Sequence, residues 1–271
     1  MFRVTRAEAE LLRPDQRVRR RRTPRPERIR VLAYSLEAFI CFAVLGSIAY
    51  AFSGYIVESE RLQVKRVLID GARVLSPEVI RDAAGITADD NLLFFSPGAV
   101  EERIRGLSYV KECTVRRAFP DTVIIDIQER ASVATLLVHG QAWEIDENAT
   151  VLRRLDPLAP QTGPLITSVP GLGAIEEGQT LENPALHAAI EVWRAFSLQP
   201  ISQEVLLSEI AAPSENAVSM FADGLPYEVR WGRVDFERQA RLLDLLWRRK
   251  QGVLPCEEYL DLRFDNDVVC K

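Results

Sequence analysis

The sequence is poor in the side chains that enzymes most often use for proton transfer and metal binding. It contains only two histidines, His139 and His187, among its 271 residues. Neither histidine has a Cys, Asp or Glu at a spacing typical of a metal site or of a catalytic triad. The sequence also lacks a glycine-rich phosphate loop and a Gly-x-Ser-x-Gly turn. We therefore predict a protein that is not an enzyme and has no cofactor.

Two short motifs match only part of a known metal-binding or catalytic motif. Asp89-Asp90-Asn91 resembles part of a calcium loop, yet the glycine and the terminal glutamate of such a loop are missing. Ser108 and Lys111 have the Ser-x-x-Lys spacing of penicillin-binding enzymes. They open a predicted strand, however, where residues three apart point to opposite faces. We interpret the first motif as a solvated turn and the second as strand residues.

Positive charge is concentrated near the N-terminus. Residues 1–30 contain eleven arginines and four acidic residues, a net charge of +7. Removing this tail and Glu37 from the total of −5 leaves −11 for residues 58–271. This acidic part has no basic surplus that could hold a phosphate backbone. We therefore do not expect nucleic acid as a partner.

An uncharged apolar run follows the basic tail, from Ala38 to Val57. At about 1.5 Å per residue it forms a helix of roughly 30 Å, which matches the hydrocarbon core of a bilayer. We predict a transmembrane helix over residues 31–57, with Glu37 at the cytoplasmic interface. The predicted membrane-anchor residues are Ala38, Val44, Gly46, Ile48 and Val57.

The arginine block at Arg19, Arg20, Arg21 and Arg22 predicts the orientation of this helix. Positive charge beside a span stays on the cytoplasmic side. Residues 1–30 are therefore expected to form a cytoplasmic tail, and the C-terminal part is expected outside the cytoplasmic membrane. A cleaved signal peptide is the alternative, because Ala49-Tyr50-Ala51 fits a small-x-small cleavage pattern. The length of the apolar run and of the basic tail favours an uncleaved span.

Residues 58–131 predict a compact α+β unit with the order β-α-α-β-β. Its strands alternate apolar and polar side chains at period two. Its two short helices each begin with a serine cap followed by proline, at Ser76-Pro77 and Ser96-Pro97. The strands are predicted at residues 62–70, 109–118 and 123–128.

Residues 132–271 predict a second, mostly antiparallel β domain with two helices. Short strands alternate with turn residues along this segment. The two helices are expected to begin after the capping residues Asn183 and Asp235. The whole chain is therefore expected to have an α+β fold with one transmembrane helix, a β-α-α-β-β unit and this β domain.

The end of the sequence predicts a hairpin, with one strand over residues 259–264 and the other over 267–271. No later strand in the sequence can cover the last one. It either pairs elsewhere within the sheet or forms an edge whose unpaired backbone accepts an incoming strand. In the second case Val269→Pro is expected to remove a ladder donor and to abolish partner binding.

The four cysteines are Cys41 in the apolar run, Cys113, Cys256 and Cys270. The predicted hairpin places Cys270 opposite Asp261 or Leu262. At about 3.3 Å per residue, this register leaves Cys256 more than roughly 10 Å away. Bridged Cα atoms lie within about 7 Å of each other. We therefore predict no disulfide between Cys256 and Cys270.

Four stretches of sequence resemble the FtsQ/DivIB family of bitopic bacterial cell-division proteins. VKRVLIDGARVLSPEVI and RRAFPDTVIIDIQER are similar to the start and the closing hairpin of the family's POTRA domain. Phe119 stands where the family usually has tryptophan. AWEIDENATVL and YLDLRF resemble two landmarks of the β domain that follows. The stretches occur in the family's order, after a basic tail and a single span.

The resemblance implies a scaffold of the divisome in the inner membrane at the division septum. In that family the β domain binds the coiled-coil proteins FtsB and FtsL, and FtsB adds a strand at the last β-strand. The POTRA domain is expected to contact other division proteins. Asp267 stands where a glycine is common in the family. The partner-binding residues that the resemblance implies are Phe264, Asn266, Asp267, Val268, Val269 and Cys270.

A periplasmic adaptor or chaperone is the alternative function, because POTRA domains also occur in outer-membrane assembly and secretion proteins. Those proteins end in membrane-spanning barrels, whose repeated ten-residue strands this sequence does not have. A scaffold binds a defined partner in fixed stoichiometry, whereas a chaperone binds many extended clients weakly. The number of partners therefore distinguishes the two functions.

Overall fold

A computed structural model describes residues 26–57, 61–264 and 267–271. Side chains are described for all of these except 26–29, 32 and 52–57. The predicted topology residues Arg19 to Arg22 and the predicted contact residue Asn266 lie outside the described residues. The chain separates into two compact units, Met1–Ser59 and Glu60–Lys271.

The first unit contains one long helix, α1, at Pro26–Val57. Its segment Ala33–Ala51 is long and apolar enough to cross a membrane, and α1 is the one such helix in the described part of the chain. Four predicted anchor residues lie in that segment: Ala38, Val44, Gly46 and Ile48. Val57 is the last residue of α1, beyond the segment. Glu37, predicted at the interface, lies within the segment because the helix begins well before the uncharged run.

The second unit begins with a three-stranded sheet and two helices. The elements are β1 (Arg66–Asp70), α2 (Pro77–Ala84), α3 (Pro97–Arg105), β2 (Val110–Ala118) and β3 (Thr122–Glu129). β3 lies in the centre, parallel to β1 and antiparallel to β2. The predicted order β-α-α-β-β is therefore confirmed. β1 is shorter than predicted, because Gln63 forms only an isolated bridge with Asn91.

Short-range signals account for the ends of these two helices. Ser76 accepts a hydrogen bond from the backbone N–H of Val79, and Gly85 ends α2 in the left-handed conformation. Ser96 makes no side-chain capping bond at the start of α3, so the following proline is the stronger signal there. Both helices and the sheet share one apolar core, which includes Ile80, Ala84, Val100, Ile104, Val123 and Ile125.

A nine-stranded sheet with two helices forms the rest of the second unit. The first five strands are β4 (Ala134–Val138), β5 (Gln141–Ile145), β6 (Val151–Leu155), β7 (Leu165–Thr167) and β8 (Leu206–Ser214). The last four are β9 (Ala217–Asp223), β10 (Leu225–Trp231), β11 (Tyr259–Asp261) and β12 (Val269–Cys270). The helices are α4 (Pro184–Ser197) and α5 (Phe236–Arg249), and a short 3-10 helix spans Pro200–Gln203. The side chains of Asn183 and Asp235 cap α4 and α5, as predicted.

The strand order of this sheet is β12-β11-β10-β9-β8-β7-β4-β5-β6. Five neighbouring pairs are antiparallel, and three are parallel: β4 with β7, β7 with β8, and β10 with β11. α4 connects β7 to β8, and α5 connects β10 to β11, so each helix is the crossover that a parallel pair requires. One apolar core lies within this domain, with fully or almost fully buried Leu136, Ile166, Leu186, Phe196, Ile210 and Trp231.

Ion pairs and hydrogen bonds join the two sheets just beyond β3. Arg130 donates to Asp146 over 2.8 Å, and the Asp146 side chain is only 3% exposed. The Tyr109 hydroxyl donates to Glu144, which also pairs with Arg153. Burial and the bond to Glu144 raise the pKa of Tyr109 above its ordinary value, so the hydroxyl stays a donor at neutral pH. These contacts hold the two sheets in one arrangement.

Candidate functional site at the C-terminal sheet edge

β12 is the outermost strand of the nine-stranded sheet in the part of the chain that the structure describes. It pairs antiparallel with β11, with Leu260 opposite Cys270 and Asp261 opposite Val269. The predicted C-terminal hairpin is therefore confirmed. Its last strand takes the edge position and does not pair elsewhere in the sheet.

The hydrogen bonds of this pair show which backbone groups face the open edge. Tyr259 and Lys271 exchange two N–H to C=O bonds, of 3.3 and 3.1 Å. Bonded and non-bonded positions alternate in an antiparallel ladder. Val269 therefore faces β11, whereas the N–H and C=O groups of Val268 and Cys270 point away from it. The edge offers an incoming strand one donor and one acceptor at each of these two residues.

This register changes the expected effect of proline in the strand. Val269→Pro would remove a donor directed at β11, inside the sheet, and not a donor directed at a partner. Val269→Pro therefore does remove a ladder donor, as expected from the sequence, but a loss of binding in this variant would not distinguish a disrupted sheet from a blocked edge. Proline at Val268 removes an outward-facing donor and leaves the internal ladder intact, which is the position where edge strands tolerate it.

Cys256 and Cys270 form a disulfide with Cα atoms 5.1 Å apart, so the prediction of no bridge between them is wrong. The prediction placed Cys270 opposite Asp261 or Leu262, but the structure places it opposite Leu260. Each position of register moves a strand by about 3.3 Å. The observed register therefore brings Cys270 closer to Cys256 than predicted.

The chain just before β11 also turns around Lys271 and does not continue as a straight strand. The N–H groups of Glu257 and Glu258 both donate to the Lys271 carbonyl, at 2.8 and 2.6 Å. The Lys271 ammonium lies 2.8 Å from the Glu258 carboxylate. Cys256 is buried at the start of this turn. The turn and the disulfide together fix a two-residue edge strand to the body of the domain.

The predicted contact residues that the structure describes differ in what they present at this edge. Phe264 is 49% exposed and Val269 is 39% exposed. Asp267 is also exposed, whereas Val268 is partly buried and packs against the core. The sulfur of Cys270 is used in the disulfide, so this residue offers mainly its backbone. Phe264 and Val269 therefore place apolar surface beside an unpaired backbone.

Asp261, which lies opposite Val269, is almost fully buried and tightly paired. Arg263 contacts both carboxylate oxygens through its guanidinium at 2.6 to 3.1 Å, and its backbone N–H donates at 3.0 Å. Burial alone would raise the pKa of Asp261, but the hydrogen bonds from Arg263 lower it below its ordinary value. The carboxylate is therefore ionised at neutral pH and fixes the backbone that leads to Phe264.

β10, the strand next to β11 on the side away from the edge, carries a second ion pair, between Arg230 and Glu228. The Arg230 guanidinium lies 4.0 Å from the centroid of the Tyr259 ring and 2.8 Å from Glu228. Ser219 donates a further hydrogen bond to Glu228. Burial would raise the pKa of Glu228, but the bonds from Arg230 and Ser219 lower it. These contacts order side chains on β10 and β11, the two strands behind the edge strand β12.

No group of three His, Cys, Asp or Glu side chains that could hold a metal ion occurs among the described residues. His139 Nε2 lies 3.2 Å from the carbonyl oxygen of Leu172. His187 lies 4.0 Å from Glu182 on the exposed side of α4. His139 therefore lies against a backbone carbonyl, and His187 lies beside a surface carboxylate.

Sequence reasoning found the edge strand but not the side chains that fix it. The Asp261 and Arg263 pair is visible in the sequence as opposite charges two positions apart on a strand, so this signal was available. Glu228 and Arg230 precede α5 and align with β11 only through a parallel pairing. The sequence does not fix that pairing, and therefore it does not predict that Glu228 and Arg230 lie beside the Asp261–Arg263 pair.

The fold and the sheet edge define a class of protein with one apolar N-terminal helix, a POTRA unit and a β domain with an uncovered edge. Residues 62–130 match the family model described as POTRA domain, FtsQ-type. They coincide with the three-stranded sheet and its two helices. The predicted fold class is therefore confirmed.

Curated relatives named Cell division protein FtsQ are similar to this chain. The one from Anaeromyxobacter sp. (strain K) is 25% identical over 210 residues, which cover 78% of this chain and 70% of the relative. The one from Geotalea daltonii is 23% identical over 234 residues, or 84% and 82%. The one from Streptomyces bingchenggensis is 30% identical over 148 residues, or 54% and 53%.

The resemblance of this chain to the FtsQ family of bacterial cell-division proteins is therefore confirmed. The relatives support a role in cell division. Together with the apolar segment of α1, they indicate a membrane-anchored division protein.

Proposed function

We propose that this chain is a non-enzymatic scaffold of the bacterial divisome that binds the FtsB/FtsL coiled-coil pair by strand addition along β12. The observation that carries this proposal is the outward-facing backbone of Val268 and Cys270 at an uncovered sheet edge. An extended segment of FtsB can continue the sheet there through main-chain hydrogen bonds. The scaffold would anchor the pair at the septum and link early to late division proteins.

Side chains beside the edge supply what main-chain bonds cannot, namely the register of the added strand. Phe264 and Val269 offer exposed apolar surface on which a matching side chain of the partner can pack. Asp267 adds an exposed charge near the turn, and Asn266 completes the set of proposed contact residues. A partner shifted by one residue would turn its apolar side chains to the wrong face.

The proposal includes a single-pass topology with residues 1–30 in the cytoplasm and residues 61–271 in the periplasm. The basic block at Arg19 to Arg22 supports the cytoplasmic side for the tail. The disulfide between Cys256 and Cys270 supports the periplasmic side for the β domain, because disulfides persist in the periplasm and are rare in the cytosol. The POTRA unit would contact other division proteins from the same compartment.

Val268→Pro tests strand addition, because it removes one outward donor and places a ring at the open edge. A partner carbonyl left without its donor costs about 1–3 kcal/mol, which is roughly a five- to 150-fold increase in Kd. We expect this loss for the full-length variant in nanodiscs, titrated with the purified FtsB/FtsL pair by calorimetry. Wild-type affinity in this variant would refute strand addition.

Val268→Ala is the matched control, because it shortens the same side chain and keeps the N–H group. Its Kd is expected to stay within about twofold of the wild-type value, because the backbone groups at the open edge are unchanged. Because Val268 is partly buried against the core, both variants lose similar packing, and each is expected to lower Tm by about 2–4 °C, which corresponds to about 1 kcal/mol. Equal loss of binding in both would assign the effect to the Val268 side chain and would contradict the proposed role of the backbone.

Fluorescence of the chain tagged at Met1, in dividing cells of its own host, tests the divisome role independently of β12. A band at midcell is expected. Uniform envelope fluorescence with normal division would contradict the divisome scaffold and would favour a POTRA adaptor.

A further inference from the structure

The POTRA unit places its loops at two opposite ends. β1 and β3 begin at the same end, because Arg66 lies opposite Thr122 in a parallel pair. The turn between β2 and β3 lies at this end, and so does the loop from α2 to α3. β3 finishes at the other end, where the chain continues into the nine-stranded sheet. We call residues 61–65, 85–96 and 119–121 the entry end.

Backbone hydrogen bonds hold the three segments of the entry end together. The N–H group of Leu92 donates to the carbonyl of Leu62 at 2.7 Å. The N–H group of Lys65 donates to the carbonyl of Asp121 at 2.8 Å. The α2–α3 loop and the hairpin turn are therefore both bonded to the segment through which the chain enters the unit.

Two aromatic rings project from the entry end into solvent. Phe94 is 64% exposed and Phe119 is 59% exposed. The neighbours Leu92 and Phe95 are buried in the core of the unit, so Phe94 cannot turn inward without displacing one of them. Leu93 adds further exposed apolar surface. These rings do not serve the core of the POTRA unit.

The entry end also carries cations, and two of its three carboxylates are engaged. Asp121 pairs with Arg66 at 2.9 Å, and Asp90 accepts a hydrogen bond from the backbone of Thr87 at 2.8 Å. Asp89 is exposed. Arg61 and Lys65 are the exposed cations within this end. Arg66 and Arg117 flank it, and they are engaged by Asp121 and by the Phe95 carbonyl. Apolar rings beside long cationic side chains fit the interfacial layer of a bilayer, where such side chains bury their stems and keep their charge in water.

The position of the entry end in the sequence indicates what covers it. Arg61 follows Val57, the last residue of α1, by four positions. At no more than about 3.6 Å per residue, the covalent chain keeps these two residues within roughly 15 Å of each other. Because α1 carries the apolar segment Ala33–Ala51, a bilayer that holds this segment lies within reach of the entry end.

We propose that the entry end of the POTRA unit is a membrane-contact surface, in which Phe94 and Phe119 insert into the headgroup region of the bilayer that holds α1. Aromatic rings concentrate at this depth of a membrane. Arg61 and Lys65 would interact with anionic lipid at the surface. This surface lies in the POTRA unit and not at β12, so it goes beyond the proposed partner binding.

Quenching by brominated lipid tests this contact in the full-length chain. The variants Phe94→Trp and Phe119→Trp are reconstituted in nanodiscs of phosphatidylcholine and phosphatidylglycerol whose acyl chains carry bromine near the headgroup. In brominated nanodiscs, compared with unbrominated ones, each variant is expected to lose a larger fraction of its tryptophan fluorescence than the wild-type chain, which has four native tryptophans. Leu158→Trp is the matched control, because Leu158 is 98% exposed in the second domain, and no excess loss is expected there.

A variant without excess quenching overturns the proposal for its ring, and absence at both rings overturns the membrane contact. In that case the rings would remain as a surface for a protein partner. Both positions are exposed, so melting temperatures equal to the wild-type value are expected. Val268→Pro, added to either tryptophan variant, should leave the quenching unchanged. The quenching therefore reports the membrane contact alone, and the titration with the FtsB/FtsL pair reports strand addition alone.

Discussion

Removal of the disulfide between Cys256 and Cys270 is expected to destabilise the edge that carries the candidate site. The two cysteines are 14 positions apart, and the bridge closes a loop that contains β11 and β12. On the chain-entropy estimate, a loop of about fifteen residues gives roughly 3 kcal/mol of stability at 25 °C. In a domain of about 150–250 residues each kcal/mol shifts Tm by about 2–4 °C. A decrease in Tm of roughly 6–12 °C follows.

The assay is thermal unfolding of the full-length chain in detergent micelles, followed by tryptophan fluorescence. The double variant Cys256→Ser/Cys270→Ser is compared with the wild-type chain without reductant. Cys41→Ser is the matched control, because it replaces a free cysteine and leaves the bridge intact. Dithiothreitol should lower the Tm of the wild-type chain by the same amount, and it should not change the Tm of the double variant.

A decrease of less than about 2 °C in the double variant would refute this reasoning, since it corresponds to no more than about 1 kcal/mol. A wild-type melting curve that dithiothreitol does not move would refute it as well. Either result would mean that the bonds to the Lys271 carbonyl hold the edge without the bridge. The double variant should also bind the FtsB/FtsL pair more weakly, because its two-residue edge strand is less firmly attached to β11.

Two further predictions concern the same edge. The folded pKa of Asp261 lies below the ordinary value of 3.8, so its ionised form stabilises the fold above that pH and this contribution disappears as the pH falls through the folded pKa. The Tm difference between the wild-type chain and Asp261→Asn should therefore shrink below about pH 3.8, and a difference independent of pH would contradict the ion pair. Phe264→Ala should weaken binding of the FtsB/FtsL pair by at least about 1 kcal/mol, or roughly fivefold in Kd. Phe221→Ala, a partly exposed phenylalanine on β9, is its control in the same titration, and equal losses would contradict a specific role for Phe264.

Helix starts could be predicted from the sequence because their signals act over two or three residues. Asn183 accepts hydrogen bonds from the N–H groups of Ala185 and Leu186, and α4 begins where the sequence indicates. Asp235 accepts from Arg238 at the start of α5 in the same way. Such bonds can be recognised without knowledge of the rest of the fold.

Strand pairing could not be predicted in the same way, because it depends on residues far apart in the sequence. β10 and β11 pair in parallel although α5 lies between them. At Cys270 the prediction failed for two reasons: the register was wrong by one or two positions of about 3.3 Å each, and the chain turns at Glu257 and Glu258 instead of continuing as a straight strand. Only the two together bring the Cα atoms to 5.1 Å, within the range of about 7 Å that a bridge tolerates. For β12 the sequence left two positions open, within the sheet or at its edge, and the pairing with β11 alone places it at the edge.

The junction between the two sheets connects the membrane contact with partner binding. Asp146 pairs with Arg130 and also accepts hydrogen bonds from the backbone of Asn148 and Thr150, so it stays in place when the arginine leaves. Opening the junction would break the Arg130–Asp146 pair and the hydrogen bond from Tyr109 to Glu144 together. A membrane contact at the entry end would therefore limit the directions in which β12 can face. An edge strand whose orientation is already restricted loses less orientational freedom when a partner binds. The membrane contact would therefore favour partner binding although the lipid-facing residues do not contact the partner.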